Sequence, residues 1–174
     1  MTQTSDQISE QTSEQTSAPV EIERKFLVKG QPWLGWGEGV LYQQGYLSRG
    51  EHSTTRVRLE GARGVLTIKG KTVGISRLEF EYEVPREHAE RLLTLCEGDL
   101  IRKRRWKQPI GAHLWELDVF EGDNEGLVVA EVELKSEEEP FERPEWLGEE
   151  VSHDPRYSNG ALSRHPWSRW GAAE

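Results

Sequence analysis

The segment VEIERKFLV, residues 20–28, alternates charged and apolar side chains with a period of two. Glu21, Glu23 and Lys25 share one parity, while Val20, Ile22 and Phe26 share the opposite parity. Because successive side chains of a β-strand point to opposite faces, this segment predicts a strand with one ionic face and one apolar face.

The same alternation recurs in three later segments, which are TTRVRLE at 54–60, RLEFEYEV at 77–84 and LVVAEVELK at 127–135. Buried charges are costly unless they are paired, hydrated or bound to metal, so ordered ionic rows need a common partner. We interpret rows of carboxylates facing rows of arginine and lysine as a wet cavity that binds metal ions and a polyanion together. The alternative is a set of cross-strand salt bridges on a solvated sheet face.

The strand pattern extends along most of the chain. Strands are predicted at 20–28, 41–48, 54–60, 65–71, 77–84, 100–107, 113–120 and 127–135. A helix is predicted to begin at Pro85 and to end at Gly98, and a short final helix is predicted over 155–163. Eight strands with one charged face indicate a mainly β (α+β) fold, an eight-stranded antiparallel closed β-barrel with helices packed outside.

The two ends of the chain differ from this pattern. Residues 1–19 form a Ser/Thr/Gln/Glu tract that has too little apolar surface to fold, so a disordered N-terminal tail is predicted. Residues 20–165 are predicted to be one domain, followed by a C-terminal tail over 166–174. Five tryptophans in the predicted loops and at the C-terminus are interpreted as caps on apolar surface: Trp33, Trp36, Trp146, Trp167 and Trp170.

Composition restricts the function classes. The 174 residues carry a net charge of −9, which argues against a nucleic-acid-binding protein. Cys96 is the only cysteine, so no disulfide can form within the chain, and a reducing, cytoplasmic location is expected. No apolar run approaches a membrane-spanning length, so no membrane partner is expected.

The ionic rows supply candidate ligands for both a cation and an anion. Acidic pairs occur at i and i+2, about 6.6 Å apart along a strand: Glu21/Glu23, Glu79/Glu81, Glu116/Asp118 and Glu131/Glu133. Mg²⁺ typically uses one or two carboxylates together with substrate phosphates and water. The basic set suited to phosphate oxygens comprises Lys25, Arg56, Arg58, Lys69 and, in the RKRRW segment, Lys103 and Arg105.

Taken in order, these segments resemble the CYTH domains, also called triphosphate tunnel metalloenzymes. EIERKFLV at 21–28 matches the E-x-E-x-K signature that opens those domains. The rows TRVRL, TIKGK, RLEFEYEV, RKRRW, ELDVFEG and AEVEL then follow in the family's order, and DPRYSNGALS resembles its C-terminal helix segment. The choice of Lys103 and Arg105, rather than Arg102 and Arg104, follows the family's K-x-R pattern.

The resemblance implies roles for these residues. It implies that the triphosphate is oriented by basic side chains: Lys25, Arg56, Arg58, Lys69, Lys103 and Arg105. It implies metal binding by Glu21, Glu23, Glu131 and Glu133. It also implies that Glu79, Glu81 and Asp118 either bind a second metal ion or position water. The catalytic set is therefore Lys25, Arg58, Lys69, Glu79 and Glu81, and the metal set includes Asp118.

The resemblance also implies a function. It favours metal-dependent hydrolysis of inorganic tripolyphosphate to diphosphate and phosphate, with Mg²⁺ or Mn²⁺ as the cofactor. Adenylate cyclase and thiamine triphosphatase activities of the same family remain alternatives, as does a sensor that binds polyphosphate or nucleotide without catalysis. The expected partner is a small-molecule triphosphate, and a homodimer is left open.

Overall fold

The computed structural model describes residues 20–171, and the predicted N-terminal tail at 1–19 and the last three residues lie outside that range. Its nine strands run as follows: β1 Val20–Val28, β2 Val40–Arg49, β3 Ser53–Glu60, β4 Arg63–Gly70, β5 Ser76–Val84, β6 Glu97–Ile110, β7 His113–Glu121, β8 Val128–Glu133 and β9 Leu147–Glu150. Two α-helices, α1 Arg86–Leu93 and α2 Asn159–Leu162, complete the regular structure together with four short 3₁₀ helices.

The first eight strands close into an antiparallel barrel. The order around the barrel is β5-β4-β3-β2-β6-β7-β8-β1, and β1 returns to pair with β5. Closure depends on the two ends of β1. Its first residues pair with β5 through Glu21 opposite Arg77, and its later residues pair with β8 through Lys25 opposite Glu131. Both edges of the sheet are thereby used, as the sequence predicts for a closed barrel.

The apolar core lies outside the barrel wall, because the inward parity of each strand is ionic. Phe26, Trp115 and Val132 form one cluster, which is covered by Phe141 and Trp146 from the segment between β8 and β9. On the opposite side, α1 packs Ala89 and Leu93 on the outer face of β3. The helix after β5 therefore covers outer apolar surface, as predicted.

Three features differ from the sequence prediction. The strand β9 was not predicted, because its four residues directly follow an acidic, proline-containing segment and pair only with the end of β1, at Phe26 and Val28. Helix α1 ends at Leu93 rather than at Gly98, which lies in β6 and has a positive φ. The predicted final helix is divided into a 3₁₀ turn at Pro155–Tyr157 and the four-residue α2.

The tryptophans pack on one another and on the outer core. Trp146 contacts Trp36 and Trp115, and Trp33 lies against Trp106. Trp167 and Trp170 pack on Tyr157, so residues 166–171 lie against the barrel. Within the described residues, no helix has both the length and the apolar character required to cross a membrane.

We predict that Phe26→Ala lowers the free energy of unfolding by about 3–5 kcal/mol, because a fully buried ring on the outer face would leave a cavity. Triphosphate affinity of the folded variant should stay near the wild-type value, since Phe26 faces away from the barrel interior. Chemical denaturation measures the first quantity and calorimetric titration the second. Val73→Ala, at a side chain that is 76% exposed, provides the control.

Candidate active site

The barrel encloses a cavity of about 410 Å³, which we call the lumen. Twelve of the thirteen predicted site residues line it: Glu21, Glu23, Lys25, Arg56, Arg58, Lys69, Glu79, Glu81, Lys103, Arg105, Glu131 and Glu133. Arg102 and Arg104 occupy the other parity of β6 and reach Glu121 on the outside. The alternation of the strands therefore gathers the predicted residues in one place.

The charges are unevenly distributed around the lumen. Following the strand order, β4, β3, β2 and β6 are consecutive and carry most of the cations, and we call this the basic arc. The remaining four strands, β7, β8, β1 and β5, carry most of the carboxylates and form the acidic arc. A polyanion could bind the basic arc while its remaining oxygens face carboxylates that could hold a divalent cation.

Ion pairs form within the acidic arc, around Lys25, and between the two arcs, at Lys69 and Arg105. Lys25 Nζ lies 2.7 Å from Glu131 Oε1 and 3.1 Å from Glu23 Oε1. Lys69 Nζ lies 2.5 Å from Glu79 Oε2, and the guanidinium of Arg105 lies 2.9 Å from Glu131 Oε2. These pairs keep buried charges neutralised, and phosphate oxygens could replace the carboxylates as partners of the same cations.

Asp118 is the predicted site residue that does not reach the lumen. It is fully buried, and its carboxylate pairs with Lys103 and with Arg105, whose Nε lies 2.6 Å from Oδ1. Burial raises the pKa of Asp118, but the two cations outweigh that effect and hold the pKa below its usual value. The structure thus places this carboxylate behind the basic side chains, where it fixes their position.

Burial changes the proton affinity of several lumen groups. It lowers the pKa of Lys103 to about 8, with Arg105 adding to the effect against the attraction of Asp118. Burial, with the positive charge of Arg56 next in size, also lowers the pKa of Lys69. For Glu131 burial acts upward, yet Lys25 and Arg105 hold its pKa well below the usual range. Lys69 and Lys103 of the basic arc therefore release their protons more readily than exposed lysines do.

Comparison with known proteins agrees with this geometry. The family model described as CYTH domain matches residues 19–161, which includes the whole barrel. The chain belongs to the CYTH domain family. This CYTH domain is 46% identical over 151 residues to an inorganic triphosphatase from Acetivibrio thermocellus, covering 86% of this chain and 97% of that protein. An inorganic triphosphatase from Nitrosomonas europaea is 41% identical over 148 residues, covering 82% and 96% of the two chains.

Solved structures share the CYTH barrel. The crystal structure of the inorganic triphosphatase NE1496 superposes with a TM-score of 0.60 at 37% identity, covering 82% of this chain and 93% of that one. A putative adenylate cyclase from Bacillus halodurans superposes with a TM-score of 0.54 at 20% identity, covering 68% and 82%. The second likeness shows the fold alone.

Several lumen residues of the CYTH barrel were not among the predicted site residues, and Arg77 and Gln44 are two of them. Arg77 lies 2.5 Å from Glu21 and 3.6 Å from Glu79, and it shares the parity of the acidic row on β5. That parity was the signal that could have identified it. Gln44 lies on β2 between the two basic strands. Because glutamine is uncharged, Gln44 does not belong to any of the charged rows that mark the site in the sequence.

The carboxylates of the CYTH lumen fit a divalent cation that also binds substrate. Across residues 20–171, no three acidic, histidine or cysteine side chains converge closely enough to hold a metal by themselves. Glu133, opposite Glu23 in the register, is nevertheless surrounded by acids. Burial raises its pKa, and the carboxylates of Glu21, Glu116 and Glu23 raise it further. These oxygen donors suit a divalent cation, which would complete its shell with phosphate and water.

Lys103 gives a prediction about pH. Its ammonium is protonated below about pH 8 in the free protein, so its attraction for a triphosphate is present below that pH and lost above it. We expect the KM for tripolyphosphate to rise above pH 8, by at most about tenfold per pH unit, and to level off near the value for an uncharged side chain at this position. Steady-state kinetics from pH 6.5 to 9.5 measure this slope. Lys103→Met should have a higher KM without that step, while the ionisation of the substrate itself affects both proteins equally.

Proposed function

We propose that this CYTH domain is a metal-dependent inorganic triphosphatase, which hydrolyses tripolyphosphate to diphosphate and phosphate. The observation that carries the proposal is the lumen itself, where a basic arc faces a carboxylate arc across one enclosed cavity. Two relatives that are each named inorganic triphosphatase, at 46% and 41% identity, support the same substrate.

The basic arc binds and orients the substrate in this proposal. Arg56, Arg58 and Lys69 contact the phosphate chain from β3 and β4, and Lys103 and Arg105 contact it from β6. Lys25 reaches the chain from the opposite wall. Arginine suits bidentate contact with phosphate oxygens, and lysine adds a point charge. The same cations stabilise the negative charge that spreads over the transferred phosphoryl group.

The acidic arc holds the metal, with Glu21, Glu23, Glu131 and Glu133 as the proposed ligands. A bound Mg²⁺ or Mn²⁺ would neutralise charge on the phosphate oxygens. Glu79 and Glu81 are proposed to position the attacking water. Glu81 is the more accessible, with its side chain 43% exposed, and it accepts hydrogen bonds from Thr67 and Arg58. We propose that Asp118 supports Lys103 and Arg105 in place of ligating the metal, because its two oxygens are already engaged.

A substrate panel tests the proposed function. Phosphate release should be fastest from tripolyphosphate with Mg²⁺ or Mn²⁺ and absent with chelator. The panel includes ATP, thiamine triphosphate and longer polyphosphate, together with an assay for cyclic AMP. Saturable tripolyphosphate binding without phosphate release, across metals and pH, would refute the proposal and favour a sensor. Preferred turnover of ATP to cyclic AMP would favour a cyclase.

We further propose that the protein acts in the cytoplasm as a homodimer. The free thiol of Cys96 supports a reducing compartment.

An outer strip of apolar side chains on β1, β4 and β5 supports a second copy of this chain as the partner. These side chains are between 36% and 54% exposed: Val20, Ile68, Leu78, Phe80 and Tyr82. Light scattering coupled to gel filtration should give twice the mass of one chain, and Phe80→Lys should halve it. A monomeric wild-type protein would contradict the dimer.

A further inference from the structure

Gln44 is an unexplained polar group in the wall of the lumen. Its side chain is fully buried, and neither its amide nitrogen nor its amide oxygen has a hydrogen-bond partner. Native proteins rarely leave buried polar atoms without partners, so each such group requires an explanation. A glutamine that only filled space would be replaced at no loss by an apolar residue of the same shape.

The location of Gln44 indicates what the missing partner is. It pairs in register with Arg58 on β3 and with Ile101 on β6, so it lies between the two strands that supply most of the cations. Its inward neighbours on β2 are Tyr42 and Tyr46, which makes β2 the strand of the basic arc without a lumen-facing charge. In the order of the barrel, β1 with Glu21 and Glu23 is the strand opposite β2.

Other unpartnered polar atoms lie around the same cavity. Among residues 20–171 they include Nε of Arg56 and Oδ1 of Asn159, which both line the lumen with Gln44. The arginine and the amides have complementary chemistry, since Nε and an amide NH₂ donate whereas an amide oxygen accepts. A bound polyphosphate with its ordered water offers acceptors and donors together.

We propose that Gln44 is a substrate-contacting residue whose amide nitrogen donates a hydrogen bond to a phosphate oxygen of the bound triphosphate, while its amide oxygen accepts one from ordered water beside that phosphate. Gln44 has no exposed surface, and the ion pairs of Arg58 with Glu81 and of Arg105 with Glu131 lie in the same lumen. When phosphate replaces those carboxylates as the partner of the cations, Gln44 becomes accessible. This inference rests on the proposed function, because it requires a triphosphate in the lumen.

The test compares Gln44→Met with Gln43→Met, a matched change one residue away on the outer parity of β2. Methionine keeps the length and approximate volume of glutamine and removes both polar atoms. Thermal unfolding is followed without ligand, tripolyphosphate binding is measured by calorimetry without metal and with Mg²⁺, and kcat and KM are determined separately. Gln44→Leu is made as a second apolar variant.

We expect Gln44→Met to unfold at the same temperature as the wild type or a higher one, while tripolyphosphate binds at least tenfold more weakly and kcat/KM falls by a similar factor. Gln43→Met should match the wild type in binding and kinetics. Wild-type affinity in Gln44→Met would overturn the inference, as would failure of both Gln44 variants to fold, because the amide would then be a structural group. Absence of tripolyphosphate binding in the wild type would refute the proposed function instead.

Discussion

The double variant Glu131→Gln with Glu133→Gln is expected to lose at least about 100-fold in kcat/KM for tripolyphosphate. Replacing groups that merely support a metal ligand typically costs 10–100-fold, and this variant removes two proposed ligands. Glutamine preserves the shape and removes the charges that would bind the cation. Phosphate release is measured at saturating substrate across a range of Mg²⁺ and Mn²⁺ concentrations. Raising the metal concentration should not restore the activity of the variant.

The control for this variant is Glu87→Gln with Glu90→Gln, which removes two charges from α1 on the outer surface. It should keep wild-type activity and metal dependence, which shows that the loss is not due to net charge. Glu131 also binds Lys25 and Arg105, so circular dichroism must show that the double variant is folded. Full activity of a folded double variant would refute the assignment of these metal ligands.

Lys25→Met is expected to lower kcat/KM by about 100-fold or more, comparable with removal of one preorganised donor from an active site. Its Nζ contacts Glu131 and Glu23, and burial is outweighed by these carboxylates, so the pKa of Lys25 stays above its usual value and the ammonium is always charged. Removing the ammonium leaves both carboxylates without that cation. The variant should therefore bind tripolyphosphate more weakly while binding Mn²⁺ at least as tightly as the wild type.

Lys29→Met is the matched control, since Lys29 follows β1 directly and is exposed. Calorimetric titrations with tripolyphosphate alone and with Mn²⁺ alone separate the two effects. A Lys25→Met protein that loses affinity for both ligands equally would indicate general disruption of the lumen. Unchanged tripolyphosphate affinity would contradict the role given to Lys25.

Strand parity made much of the barrel and its lumen predictable from sequence. A residue such as Glu133 could be placed inside because its neighbours Val132 and Leu134 are apolar and must face the outer core. The same rule separated inward from outward residues even in the consecutive cations of β6, once the family pattern fixed the register. Local alternation therefore carried long-range information about which side chains meet.

Parity could not supply the features that depend on packing between distant segments. The strand β9 adds Leu147 to the cluster of Phe26 and Trp115, and the segment before it covers that cluster with Phe141 and Trp146. Asp118 is buried behind the lumen because it forms ion pairs with both Lys103 and Arg105, and the spacing of these residues in the sequence does not reveal those contacts. Gln44 was also not predicted, because only the folded structure shows that its buried amide has no hydrogen-bond partner.

The most direct test of the central claim is a crystal structure of the protein soaked with tripolyphosphate in the presence of a divalent cation. We predict density for the phosphate chain inside the barrel, within hydrogen-bond distance of Arg58, Lys69 and Arg105, with the cation against Glu23 and Glu133. Tripolyphosphate bound only on the outer surface, with the ion pairs of Lys25 and Lys69 unchanged inside the barrel, would contradict the account.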